Sequence, residues 1–260
     1  MITAAVEAKG VGKVFGRDAG AIEALRDIDI VLSPGDFVSL IGPSGCGKST
    51  LLRLIGDLAT PSAGELTVNG KTPEQARLDR DYGMVFQSAT LLDWRTVKKN
   101  VELPLEVMRF DSESRDAKAQ EMLALVQLER FATHYPWQLS GGMQQRVAIA
   151  RALGFDPSLL LMDEPFGALD EMTRELMQQE VLRIWEETGT TVVFVTHSIQ
   201  EAVFLSTRVL VMSPQPGRIT AEITIDLATR RNEDTREAPR YFELITEVRE
   251  ALRRGERSEV

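Results

Sequence analysis

The chain has 260 residues, of which 43% are hydrophobic and 27% charged, and its 30 basic and 39 acidic residues give a formal net charge of -9. A chain this acidic is a poor match for the DNA or RNA backbone, although a local pocket can still bind a small phosphorylated ligand. The single cysteine, Cys46, excludes an internal disulfide or a cysteine-based zinc cluster, and no apolar run approaches the roughly 18 residues of a membrane helix.

The predicted elements follow the hydropathy pattern along the chain. Alternating apolar and polar residues from Val6 to Leu32 predict short antiparallel strands beside a main sheet. Later runs are almost wholly apolar and rich in β-branched residues, which is typical of strands buried on both faces of a parallel sheet. These runs span residues 36–41, 83–86, 159–162 and 191–196. Helical patterns lie between or beside them, at residues 49–58, 113–130, 142–153 and 172–187.

The remaining segments complete the predicted architecture. Residues 88–139 are mostly helical in pattern, which predicts a separate lobe. A proline-rich turn at 214–217 leads to a strand-like piece at 219–225 and a charged stretch at 230–240. A final amphipathic helix carries Tyr241, Phe242, Leu244, Ile245, Val248 and Leu252. The expected fold class is α/β, with a mainly parallel core sheet, an N-terminal antiparallel β subdomain and a helical subdomain.

Glycine and polar residues directly follow the predicted core strands. They are the loop that begins at Gly42, then Gln87, the pair Asp163 and Glu164, and His197. Because open parallel sheets bind ligands at the carboxyl ends of their strands, we expect these residues to meet at one site.

The first of these features is a phosphate-binding loop. It fits G-x-x-x-x-G-K-[ST] between a strand and a helix, a context that favours nucleotide binding over a plain glycine-rich turn. Lys48 is expected to reach the β- and γ-phosphates, and the Ser49 hydroxyl to bind Mg²⁺. Cys46 stands at a variable position and is expected to show no thiol chemistry. The proposed nucleotide-binding residues are Gly42, Pro43, Ser44, Gly45, Cys46, Gly47, Lys48, Ser49 and Thr50.

Two adjacent acids form the second half of the predicted site. Asp163 is expected to hold Mg²⁺ directly or through water, and Glu164 to orient and deprotonate the attacking water. Two carboxylates at a buried strand end are unfavourable unless a cation or ligand offsets them; the alternative is a solvated strand terminus.

A second glycine motif, Leu139-Ser140-Gly141-Gly142-Met143-Gln144-Gln145-Arg146, precedes a helix that runs to Leu153. Ser140 can cap that helix, and the two glycines would leave its amides open to an anion. By itself the motif is equally typical of an ordinary helix N-cap.

Together with the phosphate loop, this motif resembles the signature of ATP-binding cassette (ABC) ATPases, which are P-loop NTPases. Further motifs of the family follow in the same order over nearly the whole chain. Phe15 resembles the adenine-stacking aromatic, Gln87 the Q-loop glutamine and His197 the switch histidine. Asp163 and Glu164 resemble the Walker B pair, and residues 167–170, ending at Asp170, the D-loop.

The resemblance implies a role for each matching residue. The catalytic residues would be Glu164, His197 and Gln87, and the Mg²⁺ ligands Ser49, Gln87 and Asp163. Phe15 would stack on the adenine of ATP, unless it is an ordinary buried strand residue. The signature residues that face the ATP of another subunit would be Ser140, Gly141, Gly142 and Gln144. His134 and Trp137 show no chemical context and are expected to pack within the helical lobe.

The family organisation implies a single ABC ATPase domain over residues 1–260. Its nucleotide-binding core would span 1–87 and 151–215, its helical signature subdomain 88–150, and its C-terminal extension 216–260. Two copies would form a head-to-tail homodimer that encloses two ATP molecules between the Walker motifs of one subunit and the signature of the other. The C-terminal helix is expected to dock on its own subunit rather than to regulate or contact the dimer.

Finer motifs resemble one branch of the family, the ATPases of nitrate, sulfonate and taurine importers. They lie at residues 91–97, 194–203 and 213–219. Asp93 and Ser198 depart from the proline and aspartate that are common there. Such importers imply two integral membrane permease subunits, a solute-binding protein, no nucleic acid, and a peripheral place at the cytoplasmic face of the inner membrane.

Other functions remain open at this point. The same pattern also covers importers of thiamine-precursor pyrimidines and of riboflavin, and a lipid-trafficking or export system is a further alternative. A soluble ABC ATPase of DNA repair or ribosomes would require a long coiled-coil insertion or a second cassette, which this chain lacks. The apolar segment 89–101 fits either the core of the helical lobe or a groove for a short helix of a membrane partner.

Overall fold

The computed structural model describes residues 3–16, 18–228 and 230–257, so residues 1–2 and 258–260 of the expected domain lie outside the described residues. The strands are β1 (Val6–Phe15), β2 (Ile22–Leu32), β3 (Phe37–Ile41), β4 (Ala63–Val68), β5 (Tyr82–Val85), β6 (Leu159–Asp163), β7 (Thr191–Val195), β8 (Arg208–Met212) and β9 (Ile219–Thr224). The helices are α1 (Lys48–Ile55), α2 (Pro73–Asp79), α3 (Val97–Val107), α4 (Ser112–Leu125), α5 (Gly141–Leu153), α6 (Glu171–Thr188), α7 (Ile199–Leu205), α8 (Glu233–Glu237) and α9 (Pro239–Arg257).

The core sheet confirms the α/β expectation. Its strand order is β5–β6–β7–β3–β8–β9, and the pairs are parallel except for β8 with β9. Along β3 every residue is buried, and successive side chains point to opposite faces. Phe37 and Ile41 join the apolar cluster on one face, whereas Val38 and Leu40 join the cluster on the other. Burial on both faces explains why the sequence of this strand is continuously apolar.

A smaller antiparallel sheet has the order β2–β1–β4. Strands β1 and β2 are 10 and 11 residues long, so the expectation of short strands was wrong. The sequence also did not predict β4, because half of its residues are exposed and only Leu66 and Val68 are buried. These two side chains pack into the same apolar cluster as Val38 and Leu40.

The helical region begins at α3, where the Thr96 hydroxyl accepts a hydrogen bond from the Lys99 N–H as an N-cap. The helix predicted over 113–130 ends early, at Leu125. Gln127 adopts a left-handed φ of 57°, which reverses the chain and turns Leu128 into the core. The helical segments share one apolar cluster with one face of the core sheet.

The final helix, α9, docks on its own subunit, as the sequence indicates. Tyr241, Leu244, Ile245 and Val248 are buried, and the helix packs on α7, β8 and β9. The ring of Tyr241 meets Phe204 of α7 edge to face, with centroids 6.5 Å apart. Within the described parts of the chain, every helix falls short of the length and apolar character that crossing a bilayer demands.

Candidate functional site

The carboxyl ends of β3, β6 and β7 open on one cavity of about 390 Å³. These strands are neighbours in the sheet, which brings together motifs that lie far apart in the sequence. The cavity is lined by Ser44, Gly45, Gly47, Lys48, Ser49, Thr50, Glu164 and His197. A larger cavity of about 680 Å³ lies at the amino ends of the same strands, but no residue of the sequence motifs lines it. We therefore take the smaller cavity as the candidate site.

The phosphate loop curls around the side chain of Lys48. Its Nζ donates to the carbonyl oxygens of Gly42 and Pro43, at 2.8 and 2.9 Å. Gly47 has a φ of 101°, and a Cβ there would lie 2.6 Å from Leu25 of the smaller sheet, so both the turn and the close approach require glycine. Gly42 and Pro43 thus hold the lysine, while residues 44–50 face the cavity apart from Cys46.

Cys46 is a buried residue of the loop. Its side chain belongs to the apolar cluster beneath the smaller sheet. Burial raises the pKa of the thiol, against the opposing effect of nearby Lys48. A higher pKa leaves less of the reactive thiolate, which agrees with the expectation that this cysteine has no thiol chemistry.

Ser49 and Asp163 join the phosphate loop to the end of β6. The Ser49 hydroxyl donates to Oδ1 of Asp163 at 2.7 Å. A hydroxyl and a carboxylate are hard oxygen donors of the kind that Mg²⁺ prefers. The described residues contain no group of three His, Cys, Asp or Glu side chains placed to hold a metal. A Mg²⁺ site here therefore fits these two oxygens together with phosphate and water ligands.

Glu164 and His197 face each other above the loop. Nδ1 of His197 lies 3.2 Å from Oε2 of Glu164. Glu164 adopts a φ of 46°, unusual for a residue with a side chain, and its N–H donates to the carbonyl of Val195 at 3.0 Å. A strained backbone at a cavity is typical of positions where a side chain must point in one direction.

Gln87 and Phe15 lie outside the lining of this cavity. The amide of Gln87 lies beside Gly167, where an added Cβ would be 3.0 Å from its Nε2. Phe15 ends β1 with 43% of its surface exposed, and Nζ of Lys13 lies 4.9 Å from its ring centroid. The structure thus contradicts the buried-strand alternative for Phe15 and leaves its ring accessible.

The signature residues occupy a different surface. Ser140 is the N-cap of α5, and its Oγ accepts a hydrogen bond from the Met143 N–H at 3.3 Å. Ser140 and Gly142 line a separate cavity of about 530 Å³ between α5 and α6. A Cβ on Gly141 would make only ordinary contact with Leu169, at 3.4 Å. The two halves of the predicted site are therefore not brought together within one chain.

Two signature residues also have structural roles that the sequence did not indicate. A Cβ on Gly142 would lie 2.6 Å from Cγ2 of Thr173, so this glycine permits α5 and α6 to pack closely. The Gln144 amide donates to the carbonyls of Pro136 and Leu139, at 2.9 and 3.3 Å. It therefore holds the loop before the signature in place.

Asp170 begins α6, and its carboxylate accepts a hydrogen bond from the Thr173 N–H at 3.0 Å. Hydrogen bonds that Thr173 donates from its side chain and its backbone lower the pKa of Asp170, as expected of a charged N-cap. Sequence reasoning missed the residue behind this loop, Arg174, whose guanidinium donates to the Leu169 carbonyl at 2.9 Å. Glu201 lies within the importer-like motif at 194–203, but no role was assigned to it, and the structure places it as a buried acid near the start of α7. A lone charge in a helix carries no signal of burial, so the sequence pattern did not indicate the contacts of either residue.

Trp137 corrects one expectation. It was expected to pack in the helical lobe, but 70% of its surface is exposed, and its ring stacks on Tyr135 with centroids 6.1 Å apart. The segment before Trp137 is hydrogen-bonded to the start of α3, because the carbonyl of His134 accepts from the Val97 N–H at 2.7 Å. The aromatic pair is therefore a surface feature beside α3.

Known proteins are similar to this chain in sequence and in architecture. A family model for the ABC transporter matches residues 25–167. The taurine import ATP-binding protein of Rhizobium johnstonii is 47% identical over 243 residues, which cover 92% of this chain and 91% of the relative. The aliphatic sulfonates import ATP-binding protein of Bacillus thuringiensis is 42% identical over 245 residues, covering 94% of each chain. A solved dimeric ATP-binding cassette in a post-hydrolysis state, bound to ADP and Pi, has 40% identity and a TM-score of 0.74, covering 86% of this chain and 100% of its own.

Proposed function

The chain belongs to the ABC transporter family of ATP-binding subunits, and on that premise we propose that two copies share each ATPase site and drive uptake of a small solute. The observation that carries the proposal is the division of the motifs. The phosphate loop, Glu164 and His197 line one cavity, whereas Ser140 lines another. A second copy placed head to tail would bring its Ser140 to the first cavity, and the dimeric ATP-binding cassette with 40% identity supports this arrangement.

In this proposal the phosphate loop binds the ATP phosphates through Lys48 and the backbone of residues 42–50. Phe15 stacks on the adenine, an interaction of roughly 1–3 kcal/mol by analogy with base stacking on aromatic residues. Ser49 and Asp163 hold Mg²⁺, with Gln87 as the third ligand implied by the family. When bound, Mg²⁺ would neutralise phosphate charge.

The chemistry of hydrolysis is assigned to Glu164 and His197. Glu164 accepts a proton from water, the water oxygen bonds to the γ-phosphorus, and the bond from that phosphorus to the bridging oxygen breaks to release ADP and phosphate. His197 orients the Glu164 carboxylate through the 3.2 Å contact and faces the γ-phosphate. Ser140 and the amides of Gly141 and Gly142 contact the same phosphate from the other copy. Loss of that phosphate removes the shared contacts, so the dimer opens.

The composite site is tested by Ser140→Arg. A bulky cation at the signature would block closure of the two copies but leave the phosphate loop intact. We expect this variant to lose ATP hydrolysis while each monomer still binds nucleotide. Full ATPase activity of Ser140→Arg would contradict the shared site.

The proposed docking surface for the permease subunits consists of Trp94, Tyr135 and Trp137. Asn100 is buried and holds the turn before α3: its Oδ1 accepts from the Leu92 N–H, and its Nδ2 donates to the Leu92 carbonyl, at 2.7 and 3.1 Å. This turn presents Trp94 with 75% of its surface exposed, whereas Val97 and Val101 are buried in the core. The buried half of 89–101 thus belongs to the core, and its exposed half supports the proposal of a contact with a cytoplasmic helix of the permease.

The permease contact is tested by co-purification. Trp94→Ala is expected to lose membrane subunits that co-purify with the wild-type chain, while its ATP affinity is unchanged. Phe242→Ala, which removes an exposed aromatic of α9, is the matched control and should retain them. Retention of the membrane subunits by Trp94→Ala would overturn the assigned surface.

The cargo is proposed from the relatives that are named for taurine and aliphatic sulfonates. We assign the importer a small solute of the nitrate, sulfonate or taurine kind, delivered by a solute-binding protein, with this subunit at the cytoplasmic face of the membrane. The domain boundaries expected above belong to the same proposal. Co-purification of the membrane subunits together with a binding protein that binds a sulfonate would support the proposed cargo. A complex without a binding protein would contradict it.

A further inference from the structure

Glu201 is a buried acid that the proposed mechanism does not use. It lies on α7, shortly after His197, and only 7% of its surface is exposed. The Thr196 hydroxyl donates to its Oε2, and Nε of Arg174 lies 3.6 Å from its Oε1. The side chain of Gln178 lies near enough to oppose a rise in the pKa of Glu201. Burial raises the pKa of Glu201 and these neighbours oppose the rise, so the protein rather than water stabilises its charged form.

These contacts enclose the backbone that carries His197. Thr196 precedes the histidine, and its Oγ1, which donates to Glu201, also accepts a hydrogen bond from the Ser198 N–H at 3.0 Å. The Ser198 hydroxyl in turn accepts from the Glu201 N–H at 3.3 Å. Thr196, which precedes His197, is therefore bonded to the buried carboxylate, and Ser198, which follows it, is bonded to Thr196 and to the backbone of Glu201. The backbone on both sides of the histidine is thus held by the same small group of residues.

A second set of contacts connects this carboxylate to the C-terminal extension. Nη2 of Arg236, on α8, donates to Oε1 of Gln178 at 2.5 Å. Its guanidinium also lies 3.8 Å from the ring centroid of Phe204 on α7. Gln178 is itself buried and opposes the rise in the pKa of Glu201, which places it between Arg236 on one side and the Glu201–Thr196 pair on the other. The extension thereby reaches the catalytic loop without touching the nucleotide cavity.

We propose that Glu201 is a positioning residue for His197, and that Arg236 couples the docking of the C-terminal extension to it through Gln178. The inference rests on the role proposed above for His197. Arg174 contributes to the same arrangement, because it lies beside Glu201 and donates to the Leu169 carbonyl of the D-loop. Glu201 is thus placed to keep the switch histidine and the D-loop in register during turnover.

The first test compares Thr196→Val with Thr196→Ser in the full chain. Valine has nearly the shape of threonine but lacks the hydroxyl, whereas serine retains it. We expect Thr196→Val to lower the melting temperature, because it leaves a buried carboxylate without its donor, and to lower kcat of the folded enzyme about tenfold with the nucleotide dissociation constant unchanged. Thr196→Ser should remain close to wild type in all three measurements. A merely structural role would lower the melting temperature of Thr196→Val and leave kcat of the folded enzyme at the wild-type value.

The second test concerns the extension. We expect Arg236→Gln to lower kcat about threefold in the wild-type background and to have no further effect in Thr196→Val, because both changes interrupt the same series of contacts. Arg240→Gln is the matched control, since Arg240 pairs with the exposed acids Asp226, Glu243 and Glu247. This control should leave kcat unchanged.

His197→Ala separates the inference from the function on which it rests. If His197→Ala is inactive while Thr196→Val and Thr196→Ser are equally active, the positioning role of Glu201 is overturned and the proposed mechanism stands. If Arg236→Gln has the same effect in both backgrounds, or none in either, the coupling to the extension is overturned. If His197→Ala itself retains full activity, the proposed role of the histidine fails first.

Discussion

Nδ1 of His197 lies 3.2 Å from Oε2 of Glu164, and this contact joins the ends of β7 and β6 across the candidate cavity. The two strands are parallel neighbours, so their carboxyl ends necessarily meet at one edge of the sheet. The histidine thereby fixes a carboxylate whose own backbone is held in a left-handed conformation. This constraint on Glu164 supports the proposal that its carboxylate orients the attacking water.

Glu164→Gln should preserve ATP binding and remove the proton acceptor. We expect turnover to fall by ~10²–10⁴, the range for loss of a general base. Because ATP is not consumed, the variant should accumulate as a dimer, which size-exclusion chromatography with ATP measures directly. Elution of this variant only as a monomer would argue against the shared site.

Lys48→Ala should lose nucleotide binding, because Lys48 is the cation of the phosphate loop. The expected result is loss of measurable ATP affinity in a fluorescent-nucleotide titration. Lys9→Ala is the matched control, since Lys9 is an exposed lysine paired with Glu7. Equal ATP affinities for the two variants would contradict the role assigned to Lys48.

Gly142→Ala tests the packing of the signature helix against α6. The added Cβ would lie 2.6 Å from Cγ2 of Thr173, so we expect a destabilisation of about 1–3 kcal/mol in a denaturant unfolding experiment. Thr173→Ser removes that methyl group and should restore much of the loss. Gly141→Ala is the control, because its Cβ makes only ordinary contact with Leu169. A destabilisation by Gly141→Ala as large as that by Gly142→Ala would refute this explanation.

Cys46 should react slowly with alkylating reagents in the folded chain. Burial raises the pKa of its thiol, so the reactive thiolate is scarce below that raised value and becomes abundant only as the pH rises through it. We expect alkylation at neutral pH to be at least about 100-fold slower than for the same chain unfolded in urea. Equal rates, followed by mass spectrometry, would mean that the loop exposes its thiol.

Much of the core was predictable because its sequence signal is local. The strand at 37–41 is buried on both faces, so its residues are apolar without interruption, and the next residue, Gly42, begins the phosphate loop. The same reasoning holds for β6 and Asp163. Since strand ends carry the motifs and parallel strands align their ends, the cavity could be placed before its geometry was known.

Other features depend on contacts between distant segments and left no local signal. The strand β4 alternates weakly because one of its faces is exposed, and its pairing with β1 decides its structure. Gly142 looks like an anion-binding glycine in the sequence, but its neighbour Thr173 makes it a packing residue as well. Trp137 has a large apolar side chain of the kind that usually lies in a core, but it is on the surface. Glu201 becomes recognisable only when Thr196 and Arg174 are seen around it.

The central claim is that two copies of the chain form each ATP site, and crosslinking between Ser44→Cys in one copy and Ser140→Cys in another tests it most directly. Ser44 is exposed on the phosphate loop and Ser140 on the signature, in different cavities of one chain. Both variants would carry Glu164→Gln to retain ATP, and a short bis-maleimide would join the thiols. The account predicts a crosslinked species of twice the chain mass that forms only with ATP and only when both cysteine variants are mixed. Absence of that species in the mixture with ATP would contradict it.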